Sequence, residues 1–139
     1  MRYSTTVGVD LAKNIIQVSV VSPGGTELLN RSFSRIKFAE FLGRRKPSLV
    51  AFESCASAHY WARAAKRHGH EARIIPAKAV APFRQGHKTD SNDALAVAEA
   101  ARRPNIKEAP MKTAEQQGLQ AIQRSRELLI GECTALSNH

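Results

Sequence analysis

Asp10, Asp90 and Asp93 are the only aspartates in a chain of 139 residues, and each stands where an acid is expensive to hold. Asp10 closes an apolar run containing Val7 and Val9, Glu53 closes a second run, Leu49 to Phe52, and Asp90 and Asp93 are three residues apart. Four carboxylates confined in this way point to divalent metal. Magnesium is a hard ion that takes oxygen ligands in near-octahedral geometry, and two such ions about 3.5 to 4 Å apart stabilise the attacking and leaving oxygens of phosphodiester cleavage. Asp10, Glu53, Asp90 and Asp93 are therefore expected to share two Mg²⁺ or Mn²⁺ ions, the central carboxylate bridging. Without metal the acids repel one another, which raises at least one pKa above its ordinary value.

The surrounding elements have to carry these acids to one place. Ser4 to Val9 and Ile15 to Val21 read as strands, and the turn Ser22-Pro23-Gly24-Gly25 leads into a third at Thr26 to Phe33, so the second and third strands form a hairpin. Ile36 to Arg45 has the spacing of an amphipathic helix and stops before Pro47, and Ser48 to Glu53 is a short buried strand. Ser57 to Arg67 is a helix with Ala58, Trp61, Ala62 and Ala65 on one face and Arg63, Lys66 and Arg67 on the other. Glu71 to Ile75 is a fifth strand, Pro76 to Lys88 reads as a mobile basic loop with room for a helical turn, and Thr89 to Arg103 is an alanine-rich helix closed by Pro104.

Three strands in a meander, then helix and strand in alternation, specify an α/β fold on one mixed five-stranded sheet flanked by helices. The order matches the ribonuclease H-like arrangement, with the first strand central and the second antiparallel to it. Asp10 then leaves the carboxyl end of the first strand, and Glu53 leaves the end of its parallel neighbour. Asp90 and Asp93 lie one turn apart at a helix start. Separate elements would deliver all the acids to one edge of the sheet.

Composition bounds the partners. A chain that is 42% hydrophobic at this length buries one core, and no stretch is long and apolar enough for a membrane span. Met1-Arg2-Tyr3 leads straight into the first strand, so no signal peptide is expected and the location is bacterial-type cytoplasmic. Cys55 and Cys133 lack metal or disulfide spacing and read as reduced thiols in packed positions. The net charge of +9 is uneven: residues 1–112 hold 19 Lys and Arg against 9 acids, and residues 113–139 hold 2 against 3. Such a surface attracts polyanions through phosphate contacts. Lys13, Arg63, Arg67, Arg84, His87 and Lys88 are the expected nucleic-acid contacts.

Each site residue also has a plainer reading. Asp10 can end a strand in a turn, Asp90 can cap a helix with Asp93 at its third position, and Glu53 can cap the next helix, where Ser54 or Ser57 would serve more naturally. His68 and His70, beside basic residues, read as solvated. Trp61 reads as core, although Tyr60 and Trp61 are both able to stack on a base.

The residues also resemble a family. Val7-Gly8-Val9-Asp10-Leu11-Ala12-Lys13, Ala51-Phe52-Glu53-Ser54 and Lys88-Thr89-Asp90-Ser91-Asn92-Asp93-Ala94 look like the motifs of the DEDD transposases, which are related to the Piv and MooV DNA invertases. Ile74-Ile75-Pro76 and Lys78 to Phe83 extend the likeness along the chain. The resemblance implies a catalytic domain similar to the RuvC Holliday junction resolvase, with Asp10, Glu53, Asp90 and Asp93 as metal ligands. It also implies Mg²⁺, action on DNA, and in several members guidance by a noncoding RNA. Family proteins carry a serine thought to attack the DNA strand in a second, C-terminal domain, which residues 1–139 do not include.

From Leu119 the apolar residues Leu119, Ile122, Leu129, Cys133 and Leu136 fall at heptad spacing, with Arg126 interrupting. Residues 113–139 are thus expected to begin a coiled coil that supports a homo-oligomer, after a catalytic domain at residues 1–112; the alternative is a helix packed on its own domain. Rival functions are a RuvC-like structure-specific nuclease, a nonenzymatic nucleic-acid module, and a sugar kinase or actin-like ATPase. The last is disfavoured by the lack of a glycine-rich phosphate loop.

Overall fold

The computed structural model describes residues 5–12 and 14–137, with side chains up to Glu127. Valine-rich segments with alternating neighbours suit extended backbone, and five strands form: β1 Thr6–Leu11, β2 Ile16–Val21, β3 Glu27–Phe33, β4 Leu49–Glu53 and β5 Glu71–Ile75. Their order in the sheet is β3-β2-β1-β4-β5, with β1 antiparallel to β2 and parallel to β4. The expected mixed sheet with a central first strand is present. Its boundaries shift in one place that matters: β1 runs on to Leu11, which still pairs with Ile16, so Asp10 sits inside the strand instead of leaving its end.

The helices are α1 Arg35–Arg44, α2 Ala58–Arg67, α3 Ala77–Val80, α4 Asp90–Ala101 and α5 Ala114–Ser137, with a 3₁₀ turn at Ala81–Phe83. Ser34 caps α1 by accepting the Lys37 N–H at 3.2 Å. Pro76 to Lys88, read from sequence as a mobile basic loop with room for a helical turn, holds α3 and the 3₁₀ turn, because its prolines stand where a helix start tolerates them and Val80 is fully buried beneath it.

Strand alternation divides the core into two layers. Val7, Val9, Ile16, Val18, Val20, Val50 and Phe52 face α1 and α2, where they meet Phe38, Leu42, Trp61 and the alanines of α2. The Phe38 ring stands edge-on to Trp61 at 4.9 Å between centroids. The opposite face presents Leu49, Ala51 and Ile75 to Val80, Ala96, Val97, Ala100 and Ala101. Trp61 is core, as its helix face predicts.

Three expectations are corrected. His70 is buried, not solvated: its Nδ1 accepts the Ser48 N–H at 3.1 Å, leaving Nε2 to donate to the Leu42 carbonyl at 2.7 Å, so the ring ties α1 to the start of β4. Cys55 is exposed, because the chain turns outward between Glu53 and α2. Asp90 does not cap α4; the Thr89 hydroxyl accepts the Asn92 N–H at 3.2 Å, which leaves both Asp90 and Asp93 free of that duty.

After α4 the chain returns along β5, where Ala109 bridges to Ile74 and Arg73 donates to the Ala101 and Ile106 carbonyls. α5 follows as a single helix, tied at its start by Gln117 to the Ala56 carbonyl. Leu119 and Ile122 are 63% and 68% exposed on it, while the Leu129, Cys133 and Leu136 side chains lie outside the described residues. Among the described residues no helix is long and apolar enough to cross a membrane.

Candidate metal centre

The acid site is built by a close approach of α4 to β1. A Cβ added at Gly8 would lie 2.3 Å from the Ala94 carbonyl oxygen and 2.5 Å from the Ala98 nitrogen, so only glycine admits the helix backbone at this depth. Ala94 and Ala98 supply the matching small surface on α4. Gly8 and Asp10 share a face of β1 because their side-chain positions are two residues apart, and Asp93 directly precedes Ala94. The packing that seats α4 on Gly8 therefore carries Asp93 to Asp10.

Carboxylate oxygens of Asp10, Asp90 and Asp93 all lie within 4.8 Å of one another. Asp93 is buried, Asp10 half-buried and Asp90 exposed, so the cluster opens to solvent on the Asp90 side. Oxygen ligands about 2.1 Å from a magnesium ion stand about 3 to 4.2 Å apart, and the observed group needs only small side-chain rotations to meet that range. An all-oxygen, all-anionic donor set suits a hard divalent cation. Glu53 lies outside this group of three. It falls one step beyond the last β1–β4 pair, Val9 beside Phe52, and so next to Asp10 on the same face.

Electrostatics bear out the expected repulsion. The Asp10 carboxyl is pushed from its ordinary 3.8 up to about 6, first by burial and then by the charges of Asp93, Asp90 and Glu53, with Arg84 opposing. Arg84, an expected nucleic-acid contact, also meets the acids. Its Nε donates to Asp93 Oδ1 in a half-buried ion pair, so a positive charge already rests on the acid cluster.

The expected nucleic-acid contacts divide into two groups. Arg84, His87 and Lys88 stand in the segment leading into α4 at the acid edge; His87 and Lys88 are exposed, and the His87 carbonyl accepts the Asn92 side-chain N–H at 2.7 Å. Arg63 and Arg67 are on α2, in the opposite layer, where Arg63 donates to the Lys112 carbonyl. The ten residues of α2 run about 15 Å away from the Glu53 end, so Arg67 is far from the acids. Lys13 lies outside the described residues. His59 is not free to act as a base: its Nδ1 accepts the Lys112 backbone N–H at 3.0 Å, and burial, with Lys112 and Arg63 nearby, holds its pKa below the ordinary value.

Sequence reasoning missed Gln17, Asn30 and Ser91, which join the site from β2, β3 and the first turn of α4. The Gln17 amide donates to Asn30 Oδ1 at 2.6 Å and, at 3.4 Å, to the Ser91 hydroxyl. For Gln17 the available signal was a polar residue inside a largely apolar strand; Asn30, in the more polar β3, and Ser91, on α4, carried no such signal.

A mixed five-stranded sheet of this order, flanked by helices, is a RuvC-like fold. The fold is similar to that of Thermus thermophilus RuvC, with a TM-score of 0.57 at 16% identity, covering 76% of this chain and 99% of that one. A structure of the same protein in complex with a Holliday junction substrate matches equally, at a TM-score of 0.57. The family profile of the IS110 DEDD transposases, described as Transposase, matches residues 7–139, and the chain belongs to this family. It is 42% identical over 132 residues to a probable family 20 transposase of Pseudomonas aeruginosa, covering 95% of this chain and 39% of that protein. It is 37% identical over 134 residues to the transposase for insertion sequence element IS1328 of Yersinia enterocolitica, covering 96% of this chain and 40% of that protein. The transposase for insertion sequence element IS1111A of Coxiella burnetii is 33% identical, with 95% of this chain and 36% of that protein covered. The chain spans about two fifths of the length of the relatives it matches.

Proposed function

We propose that residues 1–112 are the catalytic domain of a DNA transposase in which Asp10, Glu53, Asp90 and Asp93 hold two Mg²⁺ or Mn²⁺ ions for strand cleavage and transfer. The observation that carries this reading is the convergence of the Asp10, Asp90 and Asp93 oxygens within 4.8 Å in a member of a transposase family. Divalent ions bound there supply Lewis-acid stabilisation to the oxygens of the scissile phosphate. The chain's own residues prepare the place: β1 and α4 fix the carboxylates, the burial of Asp93 excludes water from one side, and exposed Asp90 leaves the other open to a phosphodiester. Arg84, His87 and Lys88 present donors and positive charge to a phosphate at the same edge; Arg63 and Arg67 would meet nucleic acid on the opposite layer, and Lys13 is kept as a further contact by its place in the sequence.

Residues 113–139 in this reading begin a helical segment through which copies associate, the exposed Leu119 and Ile122 being the surface that such contact would cover. DNA is the substrate, a noncoding guide RNA is a further partner, and the strand-attacking serine belongs to a segment beyond residue 139. The test is a strand-transfer assay with Mg²⁺ on a transposase carrying this domain. Asp10→Asn and Asp93→Asn are each expected to abolish joined products while leaving DNA binding in place. Joined products at the unsubstituted level from both variants would contradict the proposal, and so would recombination by residues 1–139 alone.

A further inference from the structure

We infer that Gln17, Asn30 and Ser91 form a positioning frame that holds the first turn of α4, and with it the carboxylates of Asp90 and Asp93, in register with Asp10. The inference rests on the metal-site reading above and extends it to residues that touch no reacting atom.

Gln17 is the cross-strand partner of Asp10, on the same face of the sheet, and is only 9% exposed. It stands in β2, all six residues of which are buried, where an amide is costly unless it is bonded. Its bonds lead to the site. From Gln17 Nε2 they reach Asn30 Oδ1 at 2.6 Å and Ser91 Oγ at 3.4 Å, and Asn30 Nδ2 then donates to the Ser91 carbonyl at 3.0 Å. Glu27 steadies Asn30 from behind, its Oε2 accepting from Asn30 Nδ2 at 3.4 Å and from the Ser19 hydroxyl at 3.1 Å. One continuous set of bonds thus links the neighbour of Asp10 to the residue that follows Asp90.

Packing alone leaves this turn under-determined. The close contact at Gly8 is made by Ala94 and Ala98, so the helix is seated from its second turn onward. The first turn contributes no large apolar side chain: it is Asp90, Ser91, Asn92 and Asp93. Thr89 satisfies the Asn92 N–H and thereby starts the helix, but a cap fixes hydrogen bonding without fixing where the turn lies over the sheet. The Asn30 bond to the Ser91 carbonyl supplies that lateral restraint. A rotation of the helix by one residue is about 100° and would turn both acids away, and metal ligation tolerates displacements of only about 0.5 Å. Further along the same face, Leu49, Ala51 and Ile75 pack against α4 without amides. The buried amide of Gln17 and the half-buried amide of Asn30 stand where the acids need aiming.

The test is Mn²⁺ affinity of the 139-residue chain, read by electron paramagnetic resonance at a temperature where circular dichroism shows each variant fully folded. Asn30→Leu keeps the branched shape, removes the bonds to Gln17, the Ser91 carbonyl and Glu27, and is expected to weaken Mn²⁺ binding by about tenfold or more. Asn30→Gln, which keeps the donor and the acceptor, is expected to restore most of the affinity. Leu42→Ala, a cavity in the opposite core layer, is the control that lowers stability and leaves affinity within about twofold. If Asn30→Leu does not fold, Asn30→Asp serves in its place, since it still accepts from Gln17 and cannot donate to the Ser91 carbonyl. Unchanged affinity in the Asn30 variant, or an equal loss in Leu42→Ala, overturns the frame while the metal site stands. The Asp10→Asn protein separates the two claims: if it binds Mn²⁺ as tightly as the unsubstituted chain, the metal-site reading fails and the frame fails with it.

Discussion

Phe38, Phe52 and Trp61 fill the space between one face of the sheet and helices α1 and α2, whereas on the other face Gly8 and a row of alanines let α4 settle onto the strand backbone. Large side chains on the first face bury much apolar area but hold their helices at side-chain distance. Small side chains on the second give up area and gain proximity. That proximity is what brings the carboxylate oxygens of Asp90 and Asp93, on a helix, within 4.8 Å of that of Asp10, on a strand. Stability and chemistry are thus assigned to different layers of one sheet, and the acids appear only on the layer where backbone meets backbone.

The division can be broken by substitution on either side. Phe38→Ala should cost the most stability, about 3 to 5 kcal/mol by analogy with buried aromatic truncations, measured by urea unfolding of the metal-free chain. The folded fraction should still bind Mn²⁺ with nearly unchanged affinity. A large loss of affinity per folded molecule would mean that the aromatic layer also aims the acids.

Gly8→Ala should cost less, about 1 to 3 kcal/mol as an overpacking change, yet it should remove Mn²⁺ binding, because the added Cβ meets helix backbone, which cannot rotate away. Isothermal titration with Mn²⁺ checks this. Normal binding in a folded Gly8→Ala protein would show that the close approach is not what builds the site.

A smaller effect concerns pH. Asp10 has its pKa raised to about 6 from 3.8, so between those values the folded metal-free chain holds more protons than the unfolded chain. Stability from this group therefore rises as pH falls through 6, and the full gain is present below 3.8. Solvent screening of a half-exposed group reduces the gain to roughly 1 kcal/mol. Comparing urea midpoints of the unsubstituted chain and Asp10→Asn at pH 7 and pH 5 isolates it. The unsubstituted chain should gain on the variant at the lower pH, and the opposite sign would contradict the burial and repulsion argued for Asp10.

Smallest is the expected effect of Arg84→Ala. Removing the guanidinium from Asp93 takes away both a competitor for the carboxylate and a positive charge, so Mn²⁺ should bind severalfold more tightly. Weaker binding in the variant would mean that Arg84 serves to hold Asp93 in place.

The sequence made the sheet legible because its turns are sharply marked and its apolar runs are short, and all five strands lie where the pattern predicts within two residues at either end. Asp10, Asp90 and Asp93 were legible for a different reason: aspartate is rare here and sits against apolar segments. What remained hidden depends on contacts distant in the chain. Periodicity says that Gly8 and Ala98 lie on facing surfaces but carries no information on how closely those surfaces meet. The bonds from Asn30 and Gln17 to Ser91 span 61 and 74 residues. His70 was misread because local charge says nothing of the Ser48 and Leu42 groups that receive it. Arg63 and Arg67 were grouped with Arg84 by charge, although α2 and α4 lie on opposite layers.

The central claim, that the α4 layer binds divalent metal through its carboxylates, is tested most directly by titrating Mn²⁺ into the ¹⁵N-labelled chain and following amide signals by heteronuclear NMR. The account predicts that signals of Asp10, Glu53, Asp90 and Asp93 broaden first, that Phe38 to Leu42 and Arg67 broaden last, that excess Mg²⁺ reverses the loss, and that Asp10→Asn prevents it. Broadening that is equally strong on both layers, or unchanged in the Asp10→Asn protein, would contradict it.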